Sequence, residues 1–178
     1  MKTLSSHNIH LSGMPDKLII FVRKRVADLA CKDTDSYATI KGISINFNNQ
    51  AGLLSSMAQE QLFRSPIQSG LAKVSWGEFC RSTVSAAPSS GTNAGLREPY
   101  MGVGASSANT GFQLSPTTGT ILALRFAEVI QLTEEYYPPS SLGSFNLQLT
   151  AQVQNNQYVV WPENSYKLVI TPMNIASS

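Results

Sequence analysis

The stretch FNLQLTAQVQ, residues 145–154, decides the fold, because apolar and polar side chains alternate along it without a break. Successive side chains of a β-strand point to opposite faces, so this period of two predicts a strand with one apolar and one polar face. The segment ISINF, residues 43–47, alternates in the same way, and Ile9 and Leu11 do so more weakly. The pattern favours antiparallel strands that each bury one face.

Two continuous apolar runs predict central strands that are covered on both faces. They are LIIFV at residues 18–22 and ILAL at residues 121–124. Short β-rich runs follow at residues 158–161 and 167–171, and a poorer candidate strand spans residues 67–76. With about eight strands and no βαβ rhythm, the chain is predicted to be an all-β, antiparallel two-sheet sandwich. Periodicity alone does not separate a jelly roll from an immunoglobulin-type topology, although nothing resembles the Cys…Trp…Cys arrangement of the latter.

One segment follows helical spacing instead. The apolar residues at positions 54, 57, 58 and 62 predict a short amphipathic helix between strands, from Leu53 to Phe63. Asn48 or Asn49 is expected to cap its start, and Pro66 is expected to stop it.

A tract without periodicity spans residues 85–111 and is rich in Gly, Ala, Ser, Thr and Asn. A loop of that length inside a compact domain is uncommon, and it predicts an exposed, functional or mobile excursion. No second shift in composition, internal repeat or linker divides the chain. Residues 1–178 are therefore predicted to form a single domain.

The composition favours contact with proteins over contact with nucleic acid. Charged residues make up only 13% of the chain, and the formal net charge is +2. Nucleic-acid binding usually draws on a large basic excess, which is missing here. The dense basic cluster Arg23-Lys24-Arg25 is interpreted as a solvated strand end rather than a phosphate-binding patch. The N-terminus has no signal-peptide core, and the longest apolar run is too short to cross a membrane.

Histidine and cysteine, which often carry metal binding and nucleophilic catalysis, are few. His7 and His10 lie three positions apart, so on a strand they point to opposite faces and cannot hold one metal ion together. Cys31 and Cys80 form no metal-binding or redox motif. Reduced, partly buried thiols are favoured, and a single disulfide is left open.

The other candidates for chemistry are equally weak. Glu134 and Glu135 are neighbours and diverge along the chain, whereas glycoside hydrolysis needs two acids that face each other. Gly102 and Gly104 follow no strand-to-helix turn, so a phosphate loop is not indicated. Four aromatic residues close to turns are interpreted as core or interface residues: Tyr136, Tyr137, Tyr158 and Trp161. The sequence predicts no catalytic residue, no metal ligand and no cofactor, and hence no enzyme.

Three stretches resemble the second, C-terminal jelly roll of double-jelly-roll major capsid proteins from virophages and polinton-like viruses. They are MPDKLIIFVRK at residues 14–24, ISINFNNQAGLLSS at residues 43–56, and residues 119–126 together with 144–153. The first looks like the family's Ile-Pro-Asp-Lys turn and the apolar strand that follows it. The second is the most specific, since it is similar to the family's strand, Asn-rich turn and Gly-Leu-Leu-Ser helix start.

The resemblance implies a jelly-roll structural protein of a virus shell. Each full subunit would carry two upright jelly rolls, and three subunits would form a trimeric, pseudo-hexagonal capsomer of an icosahedral shell. The implied partners are the other subunits of the homotrimer, an N-terminal jelly roll, neighbouring capsomers, and penton or minor capsid proteins, with no specific nucleic acid and no membrane insertion. The implied location is the virion, assembled inside the host cell. Because 178 residues hold one jelly roll, the chain is expected to be a fragment, a split gene product or a degenerate copy.

Two other functions are weighed beside the capsid hypothesis. A lectin-like, carbohydrate-binding jelly roll would use exposed Tyr or Trp side chains, Trp161 among them. A cupin-like enzyme would need a cluster of metal ligands, which two histidines on opposite strand faces cannot supply.

Overall fold

The computed structural model describes residues 1–29, 37–71, 74–80, 83–86, 113–116, 118–132, 141–154 and 161–174. The strands are β1 (Lys2–Ser5), β2 (Ile9–Gly13), β3 (Lys17–Lys24), β4 (Thr39–Phe47), β5 (Gln50–Leu53), β6 (Thr83–Ala86), β7 (Gln113–Pro116), β8 (Ile121–Arg125), β9 (Leu142–Gln154) and β10 (Tyr166–Met173). The α-helices are α1 (Gln59–Gln68) and the single turn α2 (Trp76–Phe79), and short 3₁₀ turns lie at Val26–Asp28 and Glu163–Ser165.

The strands form two principal antiparallel sheets. The larger sheet has the order β1-β9-β4-β5, and β2 also pairs with the long strand β9. The smaller sheet has the order β10-β3-β8, and β6 and β7 form a separate two-stranded sheet. The predicted antiparallel two-sheet sandwich is confirmed.

The core lies between the two sheets and consists of the apolar faces that the alternation predicted. The buried side chains of β9 are Phe145, Leu147, Leu149, Ala151 and Val153. They belong to one cluster with the buried side chains of β3 from the smaller sheet, which are Leu18, Ile20 and Val22. Burial of a large aliphatic or aromatic side chain contributes about 1.5–3 kcal/mol, so the faces of these strands set the register of the sandwich.

A β-bulge gives β4 a longer buried face than simple alternation predicts. A period of two that includes Ile43 would place Ile40 on the outer face, yet Ile40 is fully buried. The register against β9 shifts between Ile40 and Gly42, so Lys41 is the extra residue. The side chain of Lys41 is thereby free to reach α1, where its Nζ donates to Gln59 Oε1 at 2.7 Å.

The helix predicted from Leu53 to Phe63 is wrong in its bounds. Residues 50–53 form β5, and α1 begins at Gln59. Asn48, the expected cap, has a φ of 49° and lies in the turn between β4 and β5. Its Oδ1 accepts a hydrogen bond from the Asn146 amide at 2.8 Å, which ties the turn to β9 and leaves no cap for a helix there.

Pro66 lies inside α1 and does not stop it. A proline has no amide hydrogen, so the Leu62 carbonyl four residues earlier loses its helical partner. Ser65 Oγ donates to that carbonyl at 2.9 Å instead. Because Leu62, Ser65 and Pro66 are all buried, the side chain of the serine makes the proline tolerable within the packed face of the helix.

The poorer strand candidate at residues 67–76 is also wrong. Ile67 belongs to α1, and Trp76 begins α2. Ser75 and Glu78 form a capping box around the start of α2: the Glu78 amide donates to Ser75 Oγ at 3.2 Å, and the Ser75 amide donates to Glu78 Oε2 at 2.8 Å. Local hydrogen bonding of this kind favours a helical turn over a strand.

Two further expectations fall partly on residues outside the described ranges. Of the strand predicted at 158–161, only Trp161 is described, and it precedes the 3₁₀ turn without joining a strand. Of the long loop at 85–111, residues 85–86 belong to β6, which pairs antiparallel with β7. Residues 87–111 lie outside the described part of the chain.

Strand β8 is covered on both faces, as its apolar run predicted, but it is an edge strand and not a central one. Leu122, Ala123 and Leu124 are fully buried. Helix α1 packs beside β8, and Ser69 Oγ near its end donates to the Ala123 carbonyl at 3.0 Å. The helix thus shields a sheet edge that would otherwise be open to pairing with another chain.

The chain passes from one sheet to the other just before β4. Tyr37 forms a bridge with Arg23 of β3, and the Ala38 amide donates to the Val22 carbonyl at 2.8 Å. From Thr39 onward the same segment pairs with β9 in the larger sheet. Residues 37–39 therefore join the two layers of the sandwich.

Three hydrogen bonds attach α2 to this crossing. They run from the Gly119 amide to the Glu78 carbonyl (3.0 Å), from Thr120 Oγ1 to the Phe79 carbonyl (2.7 Å) and from Thr39 Oγ1 to the Cys80 carbonyl (3.0 Å). The carbonyls at a helix end lack the partners that carbonyls in its interior have, so these bonds tie the exposed end of α2 to the rest of the sandwich.

We expect Gly119→Ala to destabilise the protein by more than about 3 kcal/mol. Gly119 has a φ of +93°, and an added Cβ would lie 2.0 Å from the Tyr37 carbonyl oxygen, so the backbone at the crossing would have to move. Urea unfolding followed by circular dichroism measures the change. Gly70→Ala is the matched control, because Gly70 has a φ of +69° but nothing within 4 Å of the added atom. It should cost only about 1–2 kcal/mol, and equal losses for both variants would contradict the role of the close approach.

Thr120→Val should lower the free energy of unfolding by about 2–4 kcal/mol. Thr120 is fully buried, and its Oγ1 both donates to the Phe79 carbonyl and accepts from the Ile40 amide at 3.2 Å, so valine leaves two backbone groups unpaired. The same urea titration provides the comparison with Thr150→Val. Thr150 Oγ1 lies 3.2 Å from the exposed Ser5 Oγ, and loss of this surface hydrogen bond should cost less than about 1 kcal/mol. A loss that small at Thr120 would show that the hydroxyl is not needed.

Candidate functional site

The histidines do not form a site. His7 lies between β1 and β2, His10 lies within β2, and both are exposed. In the part of the chain that the structure describes, no group of three His, Cys, Asp or Glu side chains could hold a metal ion. No helix in the same residues is long and apolar enough to cross a membrane. Eight residues weighed for chemistry or stacking lie outside the described ranges: Cys31, Gly102, Gly104, Glu134, Glu135, Tyr136, Tyr137 and Tyr158.

Cys80 is a half-buried thiol beside the start of α1. Gln59 Nε2 lies 3.4 Å from its Sγ. Burial raises the pKa of the Cys80 thiol; the nearby Lys41 ammonium opposes this change, and Glu60 adds to it. The thiol is therefore held in its protonated, unreactive form, as expected of a packing residue and not of a nucleophile.

Trp161 is a core residue. It is only 7% exposed, and its ring centroid lies 5.2 Å from that of Tyr166. The prediction of core packing is confirmed for this residue. A ring enclosed in this way offers no free face for stacking on a sugar, so Trp161 does not support the lectin-like alternative.

A partly exposed aromatic cluster lies on the two helices. The ring centroid of Phe63 is 5.3 Å from that of Trp76 and 5.3 Å from that of Phe79. Phe79 is fully buried and anchors the cluster, whereas Trp76 is 41% exposed. Ile67, also 41% exposed, follows Phe63 by four residues and so lies on the same side of α1. We refer to Phe63, Ile67 and Trp76 as the helical patch.

A fixed carboxylate borders the helical patch. Hydrogen bonds from Ser75, first from its backbone and then from its side chain, lower the pKa of Glu78. The capping box therefore keeps Glu78 ionised and in one orientation, two residues from Trp76. The Ser-x-x-Glu spacing at residues 75–78 is visible in the sequence and was the signal that could have located this helix start.

The outward face of the smaller sheet is apolar at its centre. Strand β3 turns Ile19 and Phe21 outward, and both are only half-buried. In the register of the sheet, Phe21 lies between Ile121 of β8 and Val169 of β10. The Tyr37 ring packs against Phe21 edge-to-face, at 4.9 Å between centroids and 62° between planes. We call this surface, with the cations at its ends, the sheet face.

Cations occupy both ends of the sheet face in directly opposed pairs. Lys17 lies opposite Arg125 at one end, and Arg23 lies opposite Lys167 at the other. Like charges in this position repel each other and destabilise the sheet. The first pair is relieved, because Arg125 forms a 3.1 Å ion pair with Glu128.

The second pair has no such relief among the described residues. Arg23 Nε is buried and has no hydrogen-bond partner there. Arg23 and Lys24 are half-buried, whereas Arg25 is exposed. The basic cluster does lie at a strand end, as predicted, but Arg23 is not the solvated side chain that was expected.

The comparisons with known proteins identify the family. Residues 1–175 match the family model described as the major capsid protein V20 C-terminal domain. The chain belongs to this family. It is a family of structural capsid proteins, so the prediction that the chain is not an enzyme is confirmed.

One relative is the "Putative capsid protein V20" of the Sputnik virophage, which is 25% identical over 175 residues. The match covers 94% of this chain and 26% of that protein, so the chain spans about a quarter of the length of its relative.

Solved structures share the fold. A chain in the cryo-EM structure of the Sputnik virophage matches with a TM-score of 0.68 and 25% identity, over 95% of this chain and 30% of that chain. The crystal structure of the mavirus major capsid protein matches with a TM-score of 0.66 and 18% identity, over 95% of this chain and 31% of the mavirus chain. Both neighbours are virophage capsid structures with the jelly-roll fold, and the predicted jelly-roll class is confirmed.

In a Cys31→Ser variant, where Cys80 is the remaining thiol, we expect alkylation by iodoacetamide to begin at a higher pH in the folded chain than in the same chain unfolded in urea. Burial raises the pKa of the Cys80 thiol in the folded chain, so the folded chain retains this proton at a pH where the unfolded chain has released it. The contribution of the protonated Cys80 thiol to the free energy of unfolding is complete below the pKa of the unfolded chain. It is lost as the pH rises through the pKa of the folded chain. A folded midpoint at or below that of the urea-unfolded control would contradict the burial of this thiol.

Proposed function

We propose that the chain serves as a jelly-roll part of a major capsid protein and acts in the virion, assembled inside the host cell. The observation that carries this proposal is the family match over residues 1–175. The fold agrees with it over 95% of the chain, at a TM-score of 0.68 to a Sputnik virophage chain. In this role the chain contributes shape and contact surface to a shell, and no chemistry.

The finer proposal concerns assembly. Residues 1–178 form a single jelly-roll domain that corresponds to the second jelly roll of a double-jelly-roll subunit, and three subunits form a pseudo-hexagonal capsomer of an icosahedral shell. The partners are the other subunits of the homotrimer, an N-terminal jelly roll, neighbouring capsomers, and penton or minor capsid proteins. The long loop predicted at residues 85–111 belongs at the capsomer's top or at a subunit contact, where loops are free to grow.

The surface of the chain supports a role in broad protein contacts. Only 13% of its residues are charged, which keeps the cost of desolvating an interface low. Ile67 and Trp76 of the helical patch are exposed, and Ile19 and Phe21 of the sheet face are only half-buried. Stable protein interfaces bury about 1,200–2,000 Å² in total, and surfaces of this kind are what such contacts need.

The test is to look for the chain in particles and in capsomers. Mass spectrometry of purified virions should detect its peptides at the abundance of a shell protein. Co-expression with an N-terminal jelly roll, followed by size-exclusion chromatography with light scattering, should give a species of three subunits with a hexagonal outline in negative stain.

Absence from virions, together with featureless monomers in every co-expression, would contradict the proposal. A glycan array provides the matched check on the lectin-like alternative, which predicts selective binding to sugars. The capsid proposal predicts none.

A further inference from the structure

The sheet face is bordered by basic side chains, and the two helices that carry the helical patch hold one more acid than base. The outward positions of β3, β8 and β10 hold four cations and no acid, at Lys17, Arg23, Arg125 and Lys167. Helices α1 and α2 hold two acids against one base, which are Glu60 and Glu78 against Arg64. Both surfaces have an apolar centre, with Phe21 and Val169 on one and Trp76 on the other. They therefore match in character, apolar against apolar and basic against acidic.

A second copy cannot use the sheet face against the same face of its partner. Such a contact would bring Arg23 and Lys167 of one copy towards cations of the other, on a face where the cations already oppose each other in pairs. Like charges at the rim of an interface cost several kcal/mol and suppress that arrangement. The surface that complements the sheet face must therefore be a different one.

We propose that the sheet face of one copy of this chain receives the helical patch of a second copy. The contact deepens the proposed function and rests on it, because it names surfaces by which shell subunits meet. Trp76 is the anchor, since a partly exposed tryptophan held by Phe63 and Phe79 is the kind of rigid aromatic residue that dominates interface energies. Its target is the apolar centre around Phe21 and Val169.

Charge gives the contact its orientation. Arg23 faces Lys167 directly across the strands, so the two cations repel each other at this end of the sheet face. A carboxylate from the helical side of the second copy would offset this repulsion, and Glu78 is held in one orientation by its hydrogen bonds with Ser75. Pre-ordered charges of this kind raise the rate of association and fix the register of the two surfaces.

The apolar centre favours a protein over a nucleic acid as the occupant. Phosphate contacts need cations along the whole surface, and here they lie only at its two ends. The formal net charge of +2 also provides little of the basic excess that nucleic-acid binding uses.

The use of two different surfaces has a geometric consequence. Each copy offers one sheet face and one helical patch, so the contact is head-to-tail, and it either closes into a ring or continues as a chain. A head-to-tail contact also makes a mixing experiment possible. A copy that lacks one surface can still bind a copy that lacks the other.

The experiment uses sedimentation velocity on the full 178-residue chain over a series of concentrations. Trp76→Ala removes the anchor of the helical patch, and Val169→Asp places a carboxylate in the centre of the sheet face. Each variant alone should weaken self-association at least about tenfold. An equimolar mixture should form dimers and nothing larger, because one intact sheet face then meets one intact helical patch.

Matched controls exclude unfolding and unspecific charge effects. Gln148→Asp places a carboxylate on an exposed position of β9 in the other sheet, and Gln68→Ala truncates an exposed side chain of α1. Both should associate like the unmodified chain. Circular dichroism melting shows whether Trp76→Ala and Val169→Asp are folded. Formation of dimers in the mixture is independent evidence that both variants are folded.

Other outcomes would overturn the inference. A monomeric unmodified chain at every concentration excludes a second copy as the occupant. Loss of association in Trp76→Ala alone, without rescue on mixing, would show a contact between two helical patches. Tight binding of a labelled DNA duplex that Arg23→Gln abolishes would assign the sheet face to nucleic acid.

The failure of this inference is distinguishable from failure of the proposed function. If the chain is found in virions and capsomers but both variants still assemble normally, the surfaces are wrong and the function stands. If the mixing experiment succeeds but the chain is absent from virions, the contact stands and the capsid role falls.

Discussion

The close approach of Gly119 to the Tyr37 carbonyl is the constraint on which the two-layer structure depends. The chain changes sheets at residues 37–39, so the same few backbone groups must serve both layers. Neighbouring Thr120 bridges the start of β4 to the end of α2, and only a residue without a side chain fits at position 119. Sheets, crossing and helix are thus joined through backbone contacts, which fix their relative position more tightly than apolar packing alone.

The sequence predicts the layers well because their strands obey a strict period. In β9 every apolar residue from Phe145 to Val153 is buried, since a slip of one position would expose them all. The same period cannot be extended back to Ile40, because a single bulge residue, Lys41, reverses which side chains point inward before it. Nothing in the local composition marks a bulge, which is set by pairing with β9. The period therefore predicts a strand and its faces, but the length of the buried face is a tertiary property.

The helices show the opposite failure. Apolar spacing indicated a helix, but one that begins too early, because Leu54 adopts a φ of 64° in a turn and ends the preceding hairpin instead. Pro66 predicts the end of the helix, but Ser65 Oγ donates to the carbonyl that the proline leaves unpaired, so the helix continues. The candidate site also has one part that the sequence predicts and one part that it does not. The Ser75–Glu78 capping box can be read directly from the chain, whereas the opposed cations of the sheet face emerge only when the register of three strands is known.

The apolar run in β3 has more hydrophobic surface than the sandwich can bury. Val22 and its inward neighbours fill the core, while Ile19 and Phe21 on the other face remain half-exposed. At β8 the same problem is solved within the chain, since α1 covers Ala123. At β3 and β10 no described helix does so, and charged side chains border the apolar centre. Because the described elements cover one side of β3 and leave apolar side chains partly exposed on the other, this face retains a driving force for contact with a neighbour.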